Sequence, residues 1–168
     1  MKNLSGPAYV LMLFLMFIGA APCSTGGGFK VTSFFILICS LVAFLRGTTP
    51  HAFSRKITTA QMQKTFALFT LEVVYLLIAI VSISTIEKYF GQGIEQGEIT
   101  FEVVSAFATV GLSQGATPLF TIGSKVIFIL TMFIGRLGPL TIVSIWNDRK
   151  YMLEEKDIKY VDGKILIG

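Results

Sequence analysis

Apolar residues gather in blocks along the chain, and the lengths of those blocks predict its elements. A spanning helix takes about 20 apolar residues, and runs of roughly 10–14 suggest half-spans. Ala8–Ala21 and Val31–Leu45 are short runs of this kind, and between them "PCSTGGGFK" sets a proline, three consecutive glycines and Lys30. The pattern predicts one broken transmembrane helix over 8–45, two half-helices joined through an intramembrane loop at 19–30. Residues 66–86 form a full span interrupted by Glu72, and 124–146 form another with Arg136 in its interior. Between these spans lies 99–118, a helix-like "TFEVVSAFA" followed by "TVGLSQGATP", too short and too polar at its end to cross. Its flanks then share one side, which predicts a re-entrant segment: a short helix enters and an extended strand returns. Such backbone is tolerated at membrane depth only when buried in protein or lining water.

The polar breaks orient the chain. Loop 46–65 carries Arg46, Arg55, Lys56 and Lys64 with no acid, whereas 87–98 carries Glu87, Glu95 and Glu98 against Lys88. Basic loops stay in the cytoplasm. Hence 46–65 is expected inside, 87–98 outside, and the tail 147–168 inside. In the tail, Asp162-Gly163 between two short β-like runs predicts a hairpin. The fold class that results is all-α integral membrane, multi-pass, with a short cytoplasmic C-terminal hairpin.

Composition supports this reading. The chain is 53% hydrophobic and 14% charged, against about 25% charged in a typical soluble domain. Lys2, Ala8–Ala21 and Gly19-Ala20-Ala21 imitate a signal peptide. A second apolar run follows at once, which a mature secreted domain rarely begins with. Cys23 and Cys39 have no CxxC spacing and read as free thiols. His51 stands alone in a polar loop, so neither a metal site nor a Ser-His-Asp constellation has its ligand set. The net charge of +4 comes mainly from loops and needs no nucleic acid to explain it.

Chemistry concentrates in "SAFATVGLSQG". A helix entering the membrane points its C-terminal carbonyl end, partially negative, toward the interior, where it favours cations. Thr109, Val110, Gly111 and Leu112 then run extended, and Gly111 admits backbone angles that clash for other residues. Such a strand can aim carbonyl oxygens at an axis and replace an ion's water shell, as TVGYG loops do in potassium channels. Arg136 falls about 18 Å into its span at 1.5 Å per residue, where a bare charge is costly, so it is expected to face a water-filled path or a partner. Glu72, nearer the basic loop, is expected to snorkel or to pair with Lys64 or Arg55. The glycine stretch is not a phosphate-binding loop, because Phe29 separates Gly28 from Lys30 and no strand precedes. In a membrane it reads as a discontinuous helix. Ser24, Thr25, Gly26, Gly27, Gly28 and Lys30 are then a candidate gate. Lys30 and Arg136 would repel a cation held at an inner site or pin the loop.

The stretches "MFIGAAPCSTGGGFKVTSF", "FEVVSAFATVGLSQGATP", "MFIGRLGPLT" and "IKYVDGKILIG", in this order, resemble the Trk/Ktr/HKT superfamily of potassium transporters, most of all its KtrB membrane subunits. The resemblance implies M1–pore-loop–M2 repeats of potassium-channel type, four around one pore. This chain would supply the broken M2 helix of the third repeat and all of the fourth, the C-terminal portion of such a transporter. It further implies potassium uptake, sodium-dependent in many such systems, with backbone carbonyls of Thr109–Leu112 as one quarter of a filter that binds K+ through Thr109, Val110 and Gly111. Implied partners are the N-terminal repeats of the same transporter, a second copy in a homodimer, a cytoplasmic nucleotide-binding regulatory ring (KtrA-like) and membrane lipid. No catalytic residue and no covalent cofactor is implied, since ions are moved rather than changed. Ala108 stands where glycine is common, and Phe29 where isoleucine is common. Ala108 is expected to alter filter packing, and Phe29 only loop mobility. The alternative reading is a non-conducting membrane scaffold or a dominant-negative fragment.

Overall fold

The structure, a computed structural model, describes residues 5–22, 24–52, 55–91 and 93–138. The expected tail hairpin at 147–168, residues 139–146 of the expected final span and Cys23 lie outside the described residues.

Among the described residues the chain is mostly helical. Helix α1 (Gly6–Phe17) begins with a proline in its first turn, where a missing N–H is harmless. It stops ahead of the glycine stretch, and α2 (Val31–Leu45) resumes beyond it. Helix α2 ends with Gly47 at φ +63, its N–H on the Phe44 carbonyl and the Thr48 N–H on that of Ala43. This closure satisfies the last carbonyls of a helix and ordinarily uses glycine for the left-handed residue. Two short strands follow, β1 (His51–Ala52) and β2 (Arg55–Lys56), paired antiparallel with His51 opposite Lys56.

Helix α3 (Thr59–Phe90) has 32 residues, about 48 Å at 1.5 Å per residue. It is the one helix among the described residues long and apolar enough to cross a membrane. It starts before the expected position 66 because Thr58 and Gln61 form a reciprocal cap: the Thr58 hydroxyl accepts from the Gln61 N–H, and the Gln61 side chain accepts from the Thr58 N–H. Its inward stripe is Thr65, Glu72, Leu76, Ala79, Ile83 and Glu87, at helical spacing.

Helix α4 (Gln96–Phe107) is the axis of the molecule. Every residue from Phe101 to Ala108 is buried, so the second half of α4 is covered on all sides. Helices α1, α3 and α5 (Ile122–Leu137) wrap it, and Met16, Leu76, Ile83, Phe120 and Phe128 join its side chains in the core. Leu77, Ile78 and Val81 on α3 and Ile129, Met132 and Phe133 on α5 face outward with their side chains exposed. A buried central helix inside a shell of outward apolar side chains fits a helical membrane protein.

Candidate functional site

The candidate strand leaves α4 through a strained turn. Ala108 caps the helix, the Thr109 N–H donates to the Ala106 carbonyl, and the Val110 N–H donates to that of Ser105. This is the closure that ends α2, but the left-handed position is occupied by threonine, at φ +53, instead of glycine. A β-branched residue there is an outlier, with a cost of about 1–3 kcal/mol. A specific contact holds it: the Gly27 N–H donates to Thr109 Oγ1 at 2.7 Å and to the Ala108 carbonyl at 3.1 Å. Gly111 has φ +81, and a Cβ there would meet nothing within 4 Å, so its glycine serves conformation, not space.

Among the described residues, the carbonyl oxygens of Thr109, Val110 and Gly111 accept no hydrogen bond. The Leu112 carbonyl differs, accepting from Ser105 Oγ at 2.6 Å. Unpaired main-chain oxygens require another polar partner, whether water, ion or a further chain. A cavity of about 530 Å³ adjoins the strand, lined by Ser105, Thr109, Gly111, Leu112, Phe128 and Met132, with Glu102 and Lys125 as its charged members.

The glycine loop folds against the foot of this strand. Its neck is closed by backbone bonds, Gly19 N–H to the Phe29 carbonyl at 2.7 Å and Phe29 N–H to the Phe17 carbonyl at 3.2 Å. Phe29 is fully buried, stacked on Phe17 and edge-on to Phe69. It is therefore an anchor of the loop, more than the modulator of mobility its sequence suggests. The Lys30 ammonium donates to the Gly26 carbonyl at 2.5 Å, and Ser24 Oγ accepts from the Gly26 N–H. Ser24 and Thr25 are exposed, while Gly27 and Gly28 are buried. A Cβ at Gly27 would come within 2.8 Å of the Phe107 and Gly135 carbonyl oxygens. Loop, α4 and α5 thus meet backbone to backbone.

Gly27 is brought onto Ala108 and Thr109, but Arg136 is not brought onto the loop by any hydrogen bond or ion pair among the described residues. It is exposed in the last turn of α5, which ends at Leu137 ahead of Gly138 at φ +77. A cation there complements the negative end of the helix. Glu72 corrects the sequence expectation of snorkelling. It is 3% exposed, its Oε2 has no hydrogen-bond partner among the described residues, and Lys30 of the loop is an opposite charge within its reach. The reason is periodic: Glu72 sits seven residues after Thr65 and four before Leu76, on the stripe that α3 turns inward.

Two carboxylates were not singled out from the sequence as parts of the site. Glu102 Oε1 accepts from Ser113 Oγ at 2.5 Å and from the Gln114 N–H at 3.0 Å, and its Oε2 from Thr117 Oγ1 at 3.1 Å. Glu87 Oε1 accepts from the Thr121 N–H, Thr121 Oγ1 and Ser124 Oγ, anchoring the start of α5. For Glu102 the available signal was an acid set between Phe101 and Val103, which demands partners once buried.

Comparison with known proteins adds to this geometry. The family model TrkH, described as cation transport protein, matches residues 1–156. Ktr system potassium uptake protein B of Bacillus subtilis (strain 168) is 38% identical over 161 residues, covering 95% of this chain and 34% of the relative. Potassium/sodium uptake protein NtpJ of Enterococcus hirae is 37% identical over 168 residues, covering 99% and 37%. Ktr system potassium uptake protein B of Vibrio alginolyticus is 35% identical over 167 residues, covering 96% and 34%. The chain spans about a third of the length of these relatives.

Proposed function

Because the chain belongs to the TrkH family of cation transport proteins, we propose that it forms part of a potassium pathway across the cell membrane. In this reading α3, α4 with its return strand, and α5 are an M1–pore-loop–M2 unit, and α1 and α2 are the halves of a preceding broken M2. The carbonyls of Thr109, Val110 and Gly111 line the ion's route and replace its hydration shell. The observation that carries this is the run of carbonyls left without donors among the described residues, at the C-terminal, partially negative end of a helix whose last turns are buried. Leu112 continues the strand but has its oxygen tied to Ser105, so its part is to hold the line. Loop 19–30 sits beneath as the gate, and Lys30, Glu72 and Arg136 set the charge at its level. The membrane face is the outward apolar shell of α3 and α5.

The relatives' names extend the proposal to its setting. Potassium is the transported ion and is substrate, not cofactor. Coupling to sodium draws support from the name of the Enterococcus hirae relative, and partner subunits from the names of the Ktr systems. The remaining repeats, a second copy and a cytoplasmic nucleotide-binding ring complete the assembly in this reading, with the C-terminus in the cytoplasm.

The test uses a chimera in which this chain replaces the matching third of the Bacillus subtilis relative, expressed in cells lacking potassium uptake. Growth on limiting potassium is expected. Gly111→Ser should lower the preference for K+ over Na+, since serine strains φ +81. Restored growth with an unaltered preference in Gly111→Ser would remove the filter assignment. No growth, with the chimera present in the membrane at the parent's level, would favour the non-conducting scaffold.

A further inference from the structure

The strand Thr109–Gly111 hangs between two fixed ends. One is the strained closure of α4 at Thr109 and Val110. The other is made by two side chains of α4 itself. Ser105 Oγ donates to the Leu112 carbonyl, and Glu102 accepts from Ser113 Oγ, the Gln114 N–H and Thr117 Oγ1. Glu102 and Ser105 are three apart, so they share one face of the helix. Together they grip three consecutive residues, 112 to 114. Glu102 is 7% exposed and Ser105 3%, and bonds from donors to a buried carboxylate are among the strong ones. Lys125 adds a more exposed tie, from Nζ to the Pro118 carbonyl at 3.3 Å.

We infer that Glu102 and Ser105 are positioning residues that set the ion preference of the strand, a step that rests on the proposed filter reading. The three residues whose carbonyls are left unbonded can span at most about 10 Å at 3.3–3.6 Å each, so the directions of those carbonyls follow from where the two ends are held. Releasing the outer end lets the oxygens turn away or spread. Discrimination between K+ and Na+, which depends on the number and placement of such oxygens, then falls. Neither side chain touches the ion. Glu102 acts through Ser113, Gln114 and Thr117, and Ser105 acts through Leu112.

The experiment measures uptake of K+ and Na+ by the chimera, each at several concentrations, for Ser105→Ala, Glu102→Ala and Glu102→Gln, with Gly111→Ser alongside. Ser105→Ala removes one hydroxyl and Glu102→Ala a whole acceptor. Each is expected to lower K+ preference about tenfold, or 1.4 kcal/mol, mainly through a raised KM for K+. Glu102→Gln keeps one carbonyl oxygen and should fall between Glu102→Ala and the parent. Equal loss of maximal rate for both ions, with preference unchanged, would make the two residues merely structural and overturn the inference. A preference unchanged in Gly111→Ser as well would instead remove the filter reading beneath it. Should Glu102→Ala fail to reach the membrane, Ser105→Ala decides, and an unchanged preference there overturns the inference.

Discussion

Replacing Gly135 by alanine tests the backbone junction beneath the strand. A Cβ at Gly135 would lie 1.9 Å from the Phe107 carbonyl oxygen and 2.7 Å from its carbon. Both atoms belong to the buried end of α4, so neither yields by a change of rotamer. Ordinary contact begins at 3.4 Å, so α5 has to withdraw from α4 by about 1.5 Å, an overpacking of the kind that destabilises by about 1–3 kcal/mol. Alanine's better helix propensity returns at most about 1 kcal/mol. Gly123, on the same helix, provides the control, because a Cβ there meets Ile86 Cγ2 at 3.7 Å, an ordinary contact. The assay is thermal unfolding of the detergent-purified chimera, followed by a thiol-reactive dye. Gly135→Ala should lower Tm by at least ~2 °C, while Gly123→Ala leaves it level or raises it. Equal melting of the two variants would refute the close approach of α4 and α5. The same junction accounts for glycine at position 27, whose Cβ would lie 2.8 Å from the Phe107 and Gly135 carbonyl oxygens.

Three further outcomes follow from the loop and its neighbours. Phe29→Ala deletes the ring packed against Phe17 and Phe69 and is expected to destabilise by about 3 kcal/mol, read as faster hydrogen exchange at the Gly19 and Phe29 amides; Phe29→Leu should preserve most of the protection. Lys30→Met removes the ammonium that donates to the Gly26 carbonyl and opposes the charge of buried Glu72, so it should lower Tm, and adding Glu72→Gln should recover part of the loss; additive losses would show that the two side chains act independently. Thr109→Gly relieves the positive φ and should raise Tm, yet it removes the shorter of the two acceptors of the Gly27 N–H, leaving only the Ala108 carbonyl, and should weaken K+ preference. Thr109→Ser keeps the hydroxyl and should retain that preference.

The sequence made the half-helices on either side of the glycines visible, because interrupted apolar runs of half-span length have few other readings. It made "TVG" visible as a candidate strand because the apolar pattern stopped too early for a crossing. The added turns of α3 were less legible: Thr58 and Gln61 are a known cap signature, but they lie in a stretch whose basic charge dominates the eye. Glu102 was hidden for a different reason. Its partners are 11 to 15 residues further on, and no local period links an acid on a helix to hydroxyls on the strand that returns past it. Thr109 could not be read as left-handed at all, since threonine disfavours that region and only the donor from Gly27 makes it tenable. The location of Arg136 depended on where α5 stops, which Gly138 sets.

The clasp between Gly19 and Phe29 has a consequence for speed. It ties the two ends of the loop to one point while Gly27 is held by Thr109 and Ala108, so the exposed outer part, with Ala21, Pro22, Ser24 and Thr25, can shift without α1 and α2 parting or sliding. Its motion belongs to the nanosecond-to-microsecond class of short loops rather than the microsecond-to-millisecond class of shifting helices.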